Sequence, residues 1–168
     1  MKDLFDIDNT ETIEVLNLLA ELNMDRILGY ELAVSELGNQ DADLKILLAI
    51  LIGDGYQYLK ELDKQITAAG DEMISGSYNT GKIYRRWLDL NLAIKITGRK
   101  AILSGCEFIE EEIQQGYEAL LKECLVSEEV RSIISEQKKS LKMSHTKIKE
   151  LCILRPSIQK PMMLRTSA

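Results

Sequence analysis

The sequence predicts an all-helical protein of four long helices, arranged as two antiparallel hairpins joined by a long crossover. Three observations carry that expectation. Only 2 prolines and 10 glycines interrupt 168 residues, so long regular elements are expected. Apolar residues recur at alternating steps of three and four along four stretches, which gathers them on one face of an α-helix. The linkers between these stretches are a few residues long in two places, and residues 71–98 form the third.

The first helix is expected over about 10–38. Asn9 or Thr10 caps it, and Glu11 and Glu14 stand near its positive end. Its inward seam is Ile13, Leu16, Ala20, Asn23, Ile27, Tyr30, Val34 and Leu37, and Gly38-Asn39 ends it with residues that tolerate positive φ. The second, about 42–69, starts at Asp41 or Asp43. It turns Leu44, Leu48, Leu51, Gly55, Tyr58, Leu62, Gln65 and Ala69 inward, and Gly70 stops it. Residues 71–79 read as a loop rich in turn formers. A shorter helix over about 80–96, capped by Thr80, places Ile83, Trp87, Leu90 and Ile94 on one face, with Trp87 as its anchor to the bundle. Thr97-Gly98 breaks it. The third long helix, about 99–124, turns Ile102, Cys106, Ile109, Ile113, Gly116 and Leu120 inward. Ser127 opens the fourth, about 128–152, whose seam is Val130, Ile134, Gln137, Leu141, Ser144, Ile148 and Leu151. Residues 1–152 thus read as one bundle domain, and 153–168, with Pro156 and Pro161, as an irregular tail.

Short links force the first pair and the last pair of long helices to be antiparallel. The linker 71–98 is long enough to climb back along the bundle, so the second and third helices should run parallel. One long crossover between two hairpins is the ferritin-like arrangement. Five segments, Glu11-Thr-Ile-Glu-Val-Leu-Asn17, Asp25-Arg-Ile-Leu-Gly-Tyr-Glu31, Gly81-Lys-Ile-Tyr-Arg-Arg-Trp87, Ala101-Ile-Leu-Ser-Gly-Cys-Glu107 and His145-Thr-Lys-Ile-Lys149, occur in this order. Together, over about residues 10–152, they resemble an uncharacterised bacterial family, the ferritin-like four-helix-bundle domain of unknown function 2383. The resemblance implies a ferritin-like bundle and no established activity.

The charge of −6 argues against a general binder of nucleic acid or anionic membranes, because phosphate contacts need a basic surface. That charge is uneven: residues 127–168 carry +5 and the residues before them −11. A basic last helix facing an acidic neighbour is the simplest account. Cys106, Cys124 and Cys152 are odd in number, far apart and without a CxxC pair, as expected for free thiols in a reducing cytoplasm. No apolar stretch of signal-peptide length is read at the N-terminus, and Leu44 to Ile52 is too short to span a bilayer.

A ferritin-like di-metal centre needs one Glu from each of two helices and a Glu-x-x-His from each of the others. Glu31 on the first helix and Glu107 or Glu110 on the third fit. Asp54-Gly-Tyr-Gln57 and Lys142-Met-Ser-His145 do not, and His145 is the one histidine of the chain. No metal is therefore expected. Glu31, Glu107, Glu110 and His145 form a remnant cluster to test for iron or another divalent metal.

The plainer expectations make Glu107 and Glu110–Glu112 a solvated acidic face pairing with Lys138, Lys139 and Lys142. Glu31 bonds Gln137 or Ser144, or reaches solvent beside Arg26 or Arg85. Asn23, Gln65, Gln137 and Ser144 make the interior partly polar. No phosphate loop or nucleophile elbow is present. The expected function is non-enzymatic, through self-association as a homodimer or binding of another protein. The alternative is a metal-binding protein or oxidoreductase, and a small-molecule binder with a polar cavity is a weaker third.

Overall fold

A computed structural model describes residues 9–73, 86 and 98–153. Helix α1 spans Asn9–Glu36, α2 Ala42–Ala68, α3 Arg99–Glu123 and α4 Glu128–Ile153, with a 3-10 turn at Asn39–Asp41. No strand occurs among the described residues. The expected crossover helix and the tail beyond Ile153 lie outside them, apart from Arg86, which is helical.

The helix ends follow from local chemistry. Gly70 takes φ 91°, the left-handed region, and lets Asp71 N–H reach back to Ile66 O at 3.2 Å. Gly98 takes φ 78° just before α3. Ser127 Oγ accepts from Val130 N–H at 3.3 Å and so caps α4. Arg131 then reaches back to the carbonyls of Leu121 (2.9 Å) and Cys124 (3.3 Å), tying the α3–α4 link to both helices. Gly38 corrects the expectation of positive φ. It is extended, at φ −87° and ψ 178°, because the chain passes directly into the 3-10 turn, with Asp41 N–H on Gly38 O at 3.1 Å.

Helix α1 packs on α2 and α3, and α4 packs on the same two, so α1 and α4 are diagonal across the bundle, as are α2 and α3. Two apolar clusters fix the directions. One joins Val15–Ile27 of α1 to Tyr58–Ile66 of α2, Ile113 and Tyr117 of α3, and Val130–Leu141 of α4. The other joins Tyr30–Leu37, Leu44–Leu51, Ala101–Ile109 and Ile148. Helices α1 and α4 run from the first cluster to the second, whereas α2 and α3 run the opposite way. Neighbours are therefore antiparallel, and α2 and α3 are parallel as the linker length required. Arg99 confirms the alignment by bonding Asp41 (3.0 Å) and Asp43 (2.6 Å), joining the start of α3 to the start of α2.

The inward stripes differ from expectation at the far ends of α2 and α3, where Ile66 is buried rather than Gln65 and Ala69, and Tyr117 rather than Gly116 and Leu120, while Ile13, Val34 and Leu151 are half-buried. A 3.5-residue seam drifts against the 3.6-residue helix, so six turns carry the buried face to the next position. Each helix also has two neighbours and buries two adjoining stripes, which adds Val15, Leu19, Leu59, Leu103 and Tyr117 to the core.

Candidate functional site: a buried ion pair at the waist of the bundle

Between the two apolar clusters the chain places charge. Arg26 on α1 and Glu110 on α3 are both 0 % exposed, and Arg26 Nε donates to Glu110 Oε1 at 2.7 Å. Arg26 Nη1 donates to the carbonyl of Leu51 at 3.2 Å, and Tyr30 OH donates to the same Glu110 oxygen. The guanidinium also lies 5.2 Å from the centre of the Tyr30 ring. Gly55 makes the room: a Cβ there would stand 2.8 Å from Ile27 Cγ1 and 3.7 Å from Arg26 Nη1.

Burial is the largest single influence on Arg26 and opposes its charge, but the Glu110 carboxylate, through its charge and its hydrogen bond, together with Tyr30 and Tyr58 outweighs it, and the guanidinium holds its proton more tightly than an ordinary arginine. Burial, reinforced by that carboxylate, pushes the Tyr30 hydroxyl well above its usual range. Arg26 Nη2 and Glu110 Oε2 have no hydrogen-bond partner among the described residues, so each ion depends heavily on the other.

A second polar chain crosses all four helices one layer away. Asn23 Nδ2 donates to Tyr117 OH at 2.7 Å, and Tyr117 OH donates to Gln137 Oε1 at 2.6 Å. Gln137 Nε2 donates to Glu61 Oε2 at 2.9 Å and to the Tyr58 carbonyl at 3.3 Å. Burial raises the Tyr117 hydroxyl far above its ordinary range, so it stays a neutral donor. The Tyr58 hydroxyl pairs with Ser140, and Ser144 Oγ donates to the Ser140 carbonyl at 3.2 Å.

The four residues of the expected remnant cluster are not brought together. Glu31 is exposed and accepts from Tyr56 OH at 3.3 Å, which corrects the expected bonds to Gln137 or Ser144 and removes Arg26 as a surface neighbour. Glu107 faces His145, with Oε1 3.9 Å from Nε2, while His145 Nδ1 bonds the Gln114 amide at 2.7 Å. Glu110 turns instead towards α1. Among the described residues no three His, Cys, Asp or Glu side chains stand where they could hold a metal ion.

The solvated acidic face is also corrected. Glu110 is internal, Glu112 pairs with Arg86 at 3.4 Å, and Lys138, Lys139 and Lys142 form no ion pair among the described residues. A charged residue on an inward stripe of each of two helices was the signal for the missed pair. Arg26 follows Asn23 by three and precedes Tyr30 by four, and Glu110 lies beside Ile109 and Ile113.

A helical bundle whose waist is closed by its own internal salt bridge is the class these contacts define. Its helices α1 to α3, which carry Arg26, Tyr30 and Glu110, coincide with a known family signature. The chain belongs to the family described as Domain of unknown function (DUF2383), whose model matches residues 11–123. The segment of α4 that holds Gln137 and His145 lies beyond that match. No curated protein matches the chain.

Proposed function

We propose that this is a non-enzymatic scaffold of the bacterial cytoplasm, acting by self-association or by binding another protein. In this reading its ferritin-like bundle has a salt bridge where such bundles keep metal. The observation that carries it is the Arg26–Glu110 pair. In a di-metal bundle, inward carboxylates are neutralised by the ions they ligate. Here Glu110 is already neutralised by a guanidinium that an incoming cation would have to displace. Neither Glu31 nor the Glu107–His145 pair accompanies it, so the residues present do not fit a di-metal centre. Antiparallel neighbours with parallel diagonals support the ferritin-like part of the reading. Three free cysteines suit a reducing compartment, and no described helix is long and apolar enough to cross a membrane.

The test is elemental analysis of protein purified without chelator or affinity tag, repeated after incubation with ferrous iron. We expect no stoichiometric metal in either sample and no rise in Tm with iron, manganese or zinc. One observation favours the metal-binding alternative: His145 Nε2 is unpartnered and turned towards Glu107. Near-stoichiometric metal, with a Tm rise that His145→Ala abolishes, would establish that alternative.

A further inference from the structure

We infer that one buried water molecule sits at the waist of the bundle, accepting a hydrogen bond from Arg26 Nη2 and donating to Glu110 Oε2 and Asn23 Oδ1. It joins the two polar layers into a single network. The inference goes beyond the proposed function and does not depend on it.

Three buried polar atoms at the waist have no hydrogen-bond partner among the described residues: Arg26 Nη2, Glu110 Oε2 and Asn23 Oδ1. Asn23, Arg26 and Glu110 are all 0 % exposed, so bulk solvent does not reach them. A buried polar group left unmet costs stability. Internal water serves such groups, on the order of one molecule per 27 residues of a globular protein.

The bonds already made bring two of these atoms side by side. A guanidinium carries Nε–H and an Nη2–H on the same edge, which ordinarily closes on both oxygens of one carboxylate. Here Arg26 Nε meets Glu110 Oε1 at 2.7 Å, and Nη1 is turned to the Leu51 carbonyl at 3.2 Å. Nη2 and Oε2 therefore flank the same bond, yet no direct hydrogen bond closes between them. Asn23 stands about one turn before Arg26 among the buried residues of α1. Its Nδ2 is committed to Leu19 O at 2.8 Å and Tyr117 OH at 2.7 Å, which leaves Oδ1. The Tyr117 hydroxyl, raised by burial, is drawn part of the way back by its Asn23 bond and by the Arg26 charge, so the two layers are within electrostatic reach.

The donor set selects the occupant. A cation would be repelled by the guanidinium, and an anion by the two oxygens. One unmet donor and two unmet acceptors match a water that accepts once and donates twice, the usual three bonds of an internal water. Hydrogen bonds then run unbroken from the Leu51 carbonyl of α2 through Arg26, the water, Asn23 and Tyr117 to Gln137 of α4.

A crystal structure of the full chain, at a resolution that orders internal water, tests this. It should show one peak about 2.7–3.2 Å from all three atoms. Magnetic relaxation dispersion of water nuclei counts long-lived internal waters in solution. Arg26→Met/Glu110→Leu should lose one of them relative to wild type, with circular dichroism and melting as fold controls. A direct Nη2–Oε2 bond with no peak would overturn the site, and so would a peak with the anomalous scattering of an ion. A peak that bridges Arg26 and Glu110 but lies out of reach of Asn23 would overturn the joined network. An unchanged water count in the folded double variant would also overturn the site, and should that variant fail to fold, the wild-type crystal structure decides alone.

Discussion

Arg26 and Glu110 meet where solvent does not reach, and the energetics of the pair are asymmetric. Replacing one partner strands the other ion, whereas replacing both with apolar groups removes the desolvation cost as well. Arg26→Met should therefore cost about 3–5 kcal/mol in chemical denaturation. The double variant Arg26→Met/Glu110→Leu should cost less than either single change, and the difference measures the coupling. The buried tyrosines add a pH dependence. Tyr30 and Tyr117 have folded-state pKa values raised by burial above the usual 10.0, so the folded protein keeps protons that the unfolded chain releases. Their contribution is fully present below about pH 10 and declines as pH rises beyond it. Denaturant midpoints measured across alkaline pH should fall accordingly. Tyr117→Phe should flatten that fall while costing about 1–3 kcal/mol at neutral pH, because Asn23 and Gln137 lose their shared partner. Asn23, Gln137 and Ser144 were legible as inward polar positions from spacing alone. Arg26 shares their inward spacing, but spacing alone does not bury it, because charged residues go to solvent unless a partner meets them, and its partner is 84 positions away.

At the scale of the helix, two glycines in similar settings should respond in opposite ways. At Gly55 an added methyl meets Ile27 Cγ1, the branched stem of a side chain that is 1 % exposed and has nowhere to move. Gly55→Ala should destabilise by about 1–3 kcal/mol through overpacking, despite the better helix propensity of alanine. At Gly116 the close atom is Leu22 Cδ1, the free end of a partly buried leucine. Gly116→Ala should be neutral or stabilise by up to about 1 kcal/mol. Thermal melts of the two variants check both outcomes. Element ends were legible where one residue's conformational freedom decides them, as at Gly70 and Gly98. Gly38 was misread because its conformation depends on how the next turn receives the chain.

For the whole molecule, α4 completes a core that the first three helices cannot close. It supplies Val130, Ile134, Leu141 and Ile148, all buried, and Gln137 to the polar chain. A chain ending after Val126 retains the family-matched segment but would expose the apolar sides of α2 and α3 that face α4. We expect it to lose the cooperative melt of the full chain and to bind a hydrophobic dye, read by circular dichroism and fluorescence. The four long helices of the described residues, their approximate limits and the parallel course of α2 and α3 were determined by the sequence itself. Periodicity, helix breakers and linker length are local properties that act on each segment before any packing. Tertiary structure alone decided the destination of the charges: Glu110 inward on Arg26, Glu31 outward on Tyr56, and His145 against Glu107 and Gln114. A carboxylate's position depends on whether a cation waits on a helix remote in sequence, and periodicity along one helix carries no record of that partner.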